Sequence, residues 1–443
     1  MPNPSLLTVL AKAFLAGAPA AEQVVARARR TLGKPWRWLR PLAQRYTKAF
    51  AGRTRPRHRD VVRFLRRDAG FGRARSKYFQ ELAVEQWLTE SQQMQPVAAA
   101  ETWGVPTIES VAALADWFRL SPGELEWFAD VKGLVNRRKD RPRLAHYHYR
   151  VLAKLSGSIR LIEAPKPRLK ELQRQILALI LDEIPLHSAV HGFRKGRSIK
   201  TFIAPHVSQR VVLRMDLRDF FPSISGARIQ TFFRTVGYPE SVADLLGGIC
   251  TNAVPRGAWR EPALDADPTQ LREARVLYSR PHLPQGAPTS PALANLCGYR
   301  VDCRLAGLAK SAGAEYTRYA DDLAFSGGEA FERCVDRFST HAAAILREEG
   351  FTVHHRKTRI MRQGVRQHLA GLVANQRVNV MRVDFDRLKA TLTNCVRRGQ
   401  DSQNRNAHSN FRSHLDGRVG FVEMINPAKG KRLRSVFERI EWR

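Results

Sequence analysis

The chain has 443 residues, 74 of them Lys or Arg against 41 Asp or Glu, a formal charge of +33. A length of this order holds one catalytic unit plus an accessory domain or two, and 43% hydrophobic residues exclude a disordered chain. The cationic excess marks a polyanion partner, and five scattered cysteines with no CxxC pair exclude a disulfide framework or zinc site and fit a reducing cytoplasm.

In chain order, Leu6, Leu7, Leu10, Phe14 and Leu15 fall at helical spacing. With no preceding positive charge and with Lys12 interrupting, this reads as an amphipathic helix rather than a signal segment. No stretch is long and apolar enough to span a membrane. Residues 1–135 read as a basic helical region. Arg27–Arg30 and Lys34–Arg40 interleave cations with Trp36 and Trp38, and Arg53–Arg59 adds a further basic run. Two readings stand open: cations and indoles that grip phosphates and stack bases, or a solvated basic face over core tryptophans. Val111, Leu114, Ala115 and Phe118 form one helical stripe. Ser121-Pro122-Gly123-Glu124 is a capping box that starts a second helix. The pair predicts a packing module more than a duplex-reading helix-turn-helix.

Ser156–Pro165 alternates like a hairpin strand behind a turn, and Pro167–Glu183 predicts a helix with Leu169, Leu172 and Ile176 inward. His191–Ile199 carries two glycines with Arg194, Lys195 and Arg197, which suits a loop lying on a nucleic-acid backbone, the template strand by expectation. Val211–Asp216 is an apolar strand ending in an acid, followed by Phe220, Phe221 and a Pro stop; Asp219 reads as a surface acid or local cap. Pro255–Pro281 is a polar insertion with no assigned role. Leu283–Pro291 is a Pro/Gly loop opening a helical run through Leu308. Thr317–Ser326 then sets Asp321 and Asp322 at a tight turn between β-favouring runs that include Tyr319, itself expected to contact nucleic acid. Adjacent carboxylates repel, and one tends to protonate. A divalent cation removes that cost, and carboxylate oxygens suit Mg²⁺. Phe331–Glu349 predicts a helix, Gly350–Thr358 a further turn motif with Lys357, and 366–380 a hairpin (His368–Val373, Arg377–Met381) around Asn375-Gln376. The remainder is basic and helical.

The strand ending in Asp216, the Leu-Pro-Gln-Gly loop and the Tyr-Ala-Asp-Asp turn, in this order, resemble reverse transcriptases, specifically the bacterial retron type, from about Ser156 to Arg359. The resemblance implies an α+β right-hand polymerase: an extra helical N-terminal domain (1–135), fingers (136–206), a palm with antiparallel sheet (207–365, with an insertion at 251–282) and a hairpin plus helical basic thumb (366–443). It implies RNA-directed DNA polymerase activity in which Asp216, Asp321 and Asp322 hold two Mg²⁺ ions. It implies contact of Arg160 with the incoming triphosphate, Phe221 as the ring that excludes a ribose 2′-OH, and Gln285 with the Gly286 backbone lining the nucleotide pocket. It makes Lys357 the general acid for pyrophosphate departure.

The expected partners are dNTPs, a structured non-coding RNA with its cDNA, and an effector protein in phage defence; no membrane is expected. The QGxxxSP form disfavours diversity-generating enzymes. The short C-terminal remainder disfavours an RNase H domain or a mobile-intron enzyme. Two elements depart from the retron pattern. Only His206 survives of the Asn-Ala-x-x-His element, in Phe202–His206, and Leu369-Ala370-Gly371 replaces Val-Thr-Gly. Both belong to RNA recognition and priming in the family, so a bacterial defence reverse transcriptase with different priming stays open. So do a catalytically idle RNA-binding protein on the same scaffold and a DNA-binding regulator using residues 107–130.

Overall fold

The computed structural model describes residues 5–51, 56–88, 92–134, 145–153, 159–259 and 267–442. The chain divides into two compact units, one of Met1–Pro185 with Phe221–Cys297, the other of Leu186–Phe220 with Gly298–Arg443.

The first unit begins with five helices: α1 (Leu6–Leu15), α2 (Ala21–Leu32), α3 (Leu39–Phe50), α4 (His58–Arg67) and α5 (Ala69–Lys77). Their apolar stripes meet in one core built on Leu10, Phe14, Val24, Ala28, Leu42, Leu65 and Phe71. Trp36 and Trp38 join that core, with ring centroids 4.7 Å from Tyr78 and 5.3 Å from Phe71. Arg27 is buried and donates to the carbonyls of Ala13 (3.0 Å) and Ala18 (2.7 Å). The tryptophans and Arg27 are therefore packing residues, and base stacking by these indoles is corrected. Arg53 and Arg55 of the basic run lie outside the described residues.

Helix α6 (Val111–Phe118) and helix α7 (Pro122–Ala129), the latter with the expected Ser121–Glu124 capping box, pack on helix Glu240–Cys250. The approach is close: a Cβ on Gly248 would lie 2.2 Å from the Ala129 carbonyl oxygen. Strands β1 (Tyr147–Ala153) and β2 (Ile159–Pro165) form an antiparallel hairpin; the turn predicted at Ser156–Ser158 lies outside the described residues. Helix Pro167–Ile176, continued by a π-helical turn through Leu181, buries Leu169, Leu172 and Ile176 as its spacing predicts. Within the insertion, Trp259 and helix Pro268–Tyr278 pack on Val151, Ile159 and Leu161, so the segment covers one face of the β1–β2 hairpin. Residues 260–266 lie outside the description.

The second unit is organised on an antiparallel sheet. Its strands are β3 (Val211–Arg218), β4 (Ala314–Tyr319), β5 (Asp322–Gly327), β6 (Thr352–Val353) and β7 (Arg359–Arg362). The order is β4-β5-β3, with β6 and β7 both pairing the far side of β3. Val211, Val212 and Leu213 are wholly buried, as a central strand covered on both faces requires. Helix Glu329–Glu348 packs on the sheet through Phe331, Val335, Phe338, Ala342 and Leu346, one stripe at helical spacing.

Strands β8 (His368–Leu369), β9 (Leu372–Val373) and β10 (Asn379–Val380) follow. The hairpin around Asn375-Gln376 is present, but 368–373 is not one strand. Ala370 (φ +44°) and Gly371 (φ +83°) close a second two-residue hairpin inside it, because positive φ at both central positions makes a type I′ turn. Helices Arg382–Arg398, Phe411–Ile425 and Pro427–Phe437 complete the unit around Leu388, Leu392, Leu415, Val419 and Leu433. Among the described residues no helix is long and apolar enough to cross a membrane.

Candidate active site

Antiparallel pairing of β3 and β5 places Asp216 directly opposite Asp322. Side chains so paired have Cβ atoms about 5 Å apart, and like charges there are destabilising. The two-residue loop Ala320-Asp321 joins β4 to β5 and brings a third carboxylate to the same end of the sheet. Ala320 sits at φ +55°, a conformation that costs an L-residue about 1–2 kcal/mol. Its surroundings hold it there. Arg318 donates Nη1–H to the Ala320 carbonyl at 3.2 Å, and a Cβ on Gly192 would lie 2.7 Å from the Ala320 nitrogen. Leu217 N–H donates to the Asp321 carbonyl (3.0 Å), and His354 N–H to the Asp216 carbonyl (2.7 Å).

Burial first, and then Asp322 and Asp216, push the Asp321 carboxyl above its ordinary range. Burial likewise raises Asp322, against the pull of Arg214. Hard oxygen donors whose charges repel fit a divalent cation. Among the described residues no three acids, histidines or cysteines stand at ligating spacing. The acids recruit basic side chains instead. Lys357 Nζ donates to both Asp216 oxygens (2.9 and 3.1 Å), and Arg214 donates Nε–H and Nη2–H to Asp322 Oδ1 (3.0 and 2.8 Å). Any divalent ion on these carboxylates competes with both cations.

Beneath the hairpin lies a buried ion pair. Arg318, 1% exposed, donates to both oxygens of fully buried Asp302 (2.7 and 2.6 Å), and the Tyr316 hydroxyl donates to the same carboxylate at 2.8 Å. Burial opposes the guanidinium charge, but Asp302 outweighs it and raises the Arg318 pKa overall. In the first unit, the Leu283–Pro291 loop hangs from β2. Glu163 N–H donates to the Gln285 carbonyl at 2.9 Å, and the Ser290 hydroxyl closes the loop on the Pro284 carbonyl at 2.7 Å. Gly286 has φ +134°, and a Cβ there would lie 2.8 Å from the Glu163 carbonyl oxygen, so the position demands glycine.

A family model described as "Reverse transcriptase (RNA-dependent DNA polymerase)" matches residues 152–390. The chain is 39% identical over 335 residues to the Retron Mx65 reverse transcriptase of Myxococcus xanthus, covering 75% of this chain and 72% of that protein. It is 36% identical over 351 residues to the Retron Mx162 reverse transcriptase of the same organism, covering 76% and 68%. With the Retron Ec86 reverse transcriptase of Escherichia coli it shares 29% identity over 284 residues, 64% of this chain and 77% of that one.

The chain belongs to the retron-type reverse transcriptases.

This retron-type reverse transcriptase is an RNA-directed DNA polymerase with the α+β fold expected, and its family uses divalent metal ions. The second unit brings together Asp216, Asp321, Asp322 and Lys357. Arg160, Phe221, Gln285 and Gly286 belong to the first unit. There Arg160 points outward from β2 and is exposed, while Phe221 and Gln285 are half-buried. Lys195 and Arg197 are exposed. Arg194 is half-buried and braces the carbonyls of His187 (3.1 Å) and Val190 (3.4 Å). Tyr319 is half-buried, with ring centroids 5.7 Å from Phe202 and 6.3 Å from Phe193. Asp219, at φ +50°, pairs locally with Arg218 at 3.2 Å.

His206 corrects its expectation. It is wholly buried, its Nδ1 is bonded to the Ser326 hydroxyl (2.6 Å) and its Nε2 to the Thr317 hydroxyl (2.7 Å), and burial pushes its pKa down to about 3. It ties the segment before β3 to β4 and β5 and offers no atom to nucleic acid.

Two groups escaped the sequence reading. One is the Arg318–Asp302 pair, which has no local signal because the partners lie on different elements. The other is Glu163, fully buried, accepting from His282 Nε2 (3.0 Å) and Asn252 Nδ2 (2.7 Å). Its signal was available: alternation along β2 puts Glu163 on the buried face with Ile159 and Leu161.

Proposed function

We propose that this enzyme copies a structured non-coding RNA into cDNA by in-line nucleotidyl transfer, with the product serving phage defence alongside an effector protein. The observation that carries the chemistry is the meeting of Asp216, Asp321 and Asp322 at one end of the sheet, two of them directly opposite across β3 and β5. In this reading residues 136–206 act as fingers, 207–365 as palm and 366–443 as thumb, behind a helical N-terminal domain.

The three aspartates would hold two Mg²⁺ ions, which when bound supply activation of the attacking hydroxyl and charge neutralisation at the leaving group. The protein's own residues do the rest by position and charge. Arg160 offers an exposed planar fork to the triphosphate. Phe221 excludes the ribose 2′-OH and so selects dNTPs. The Gln285 side chain and Gly286 backbone seat the base pair being formed. Lys357, hydrogen-bonded to Asp216, gives its proton to the departing pyrophosphate. Lys195 and Arg197 hold the template backbone. Five free thiols, three of them buried, fit work in a reducing cytoplasm.

The test is primer extension by the double variant Asp321→Asn/Asp322→Asn with Mg²⁺ and dNTPs on an RNA template. The expected result is loss of cDNA synthesis with RNA binding retained. Full incorporation by the purified variant would overturn the site assignment.

A further inference from the structure

The polymerase chemistry leaves the N-terminal helices unused, and they concentrate the molecule's charge. Residues 1–77 contain nineteen Lys and Arg against three acids, Glu22, Asp60 and Asp68. Asp60 stands beside Arg59 and Arg63 on its own helix, and Asp68 is taken by Arg45 at 2.7 Å. Two cation-bearing segments far apart in sequence are then brought side by side. The contacts of Trp36 with Tyr78 and of Trp38 with Phe71 seat the α2–α3 connection and the start of α3 against α5. The first segment presents Arg37 and Arg40, the second Arg73, Arg75 and Lys77, all exposed. Among the described residues none of these four arginines has an acidic partner.

We propose that this joint surface is a second nucleic-acid contact, one that grips the phosphate backbone of double-stranded RNA and is separate from the polymerase residues. Guanidinium groups suit phosphate oxygens bidentately. The indoles at the centre of the patch are engaged in the core, and Phe79, two residues past Lys77, is the single exposed ring beside it, so the surface offers five cations against one stacking platform. It therefore suits a backbone whose bases are already paired rather than splayed single strands. An anionic membrane is the poorer fit, because interfacial helices expose an apolar face, and α1–α5 expose no large apolar side chain among their described residues; Phe79, just past α5, stands alone.

The experiment measures binding of a labelled RNA duplex across a KCl series by the full-length protein and the variant R73Q/R75Q/K77Q. The control variant K12Q/R59Q/R63Q removes the same charge elsewhere on the bundle. Each lost phosphate contact should lower the salt slope by about 0.9, and three together should weaken binding by about tenfold or more at physiological salt. The control should stay near the parent, and R73K/R75K should retain most of the affinity. A thermal melt compares the folding of each protein. An unchanged slope in the triple variant would overturn the proposal, as would an equal loss in the control. Tight binding to phosphatidylglycerol vesicles with none to the duplex would overturn the choice of partner. No nucleotide is turned over in this assay, so its outcome is independent of the aspartate assignments.

Discussion

Asp302→Asn tests how the turn bearing Asp321 is held. Arg318 and Asp302 are at most 1% exposed and joined by two charge-assisted hydrogen bonds. Removing one partner of such a pair leaves a buried, uncompensated charge and costs about 3–5 kcal/mol. At about 2–4 °C per kcal/mol for a body of 150–250 residues, the transition should fall by on the order of 10 °C. A two-unit chain need not melt in one step, so native-state hydrogen exchange at β4 and β5 is the direct readout. The apolar replacement Asp302→Leu/Arg318→Met, with Tyr316→Phe so that its hydroxyl is not orphaned, should recover most of that stability, because well-packed apolar groups often replace a buried pair without loss. Primer extension should stay low even so, since the Ala320 carbonyl has lost the Arg318 donor that supports its positive φ. A loss below about 1 kcal/mol in Asp302→Asn, or full activity in the apolar variant, would refute this reasoning.

Asp321→Asn should stabilise the metal-free enzyme while ending synthesis. The folded Asp321 carboxyl titrates above its ordinary value, so between the two values the folded state binds more protons, and stability falls as pH rises through that window. The variant should lose this slope, and added Mg²⁺ should cancel it in the parent; thermal melts from pH 4 upward check both. His206 works in the opposite sense. It takes up a proton near pH 6.5 when unfolded but only near about 3 when folded, so stability should fall as pH drops between those values, and His206→Gln should flatten that limb. Phe221→Ala should admit ribonucleotides, read as a rise of about tenfold or more (roughly 1.4 kcal/mol) in relative kcat/KM for rNTP over dNTP; unchanged selectivity would remove Phe221 from that role.

Much of the fold was legible locally. The stripe from Phe331 to Leu346, the capping box at Ser121–Glu124 and the buried run Val211–Leu213 are each written in consecutive residues, and the structure follows them. The hairpin at 368–373 was not, because a two-residue turn at Ala370-Gly371 depends on backbone angles that alanine rarely adopts. The indoles at Trp36 and Trp38 were ambiguous for a different reason. Composition places cations beside aromatics, but only the approach of α5 decides that the rings face inward.

The sequence by itself determined the family, the chemical character of each candidate group and the order in which the elements run, because motif spacing and periodicity are properties of neighbours along the chain. Tertiary structure alone decided that Asp216 faces Asp322, that Lys357 and Arg214 answer those charges, and that Glu163, His206 and Arg318 are braces inside the protein. Those facts depend on strand register and burial, which are set by contacts between residues up to 141 positions apart, and no local pattern encodes which distant partner a buried charge will meet.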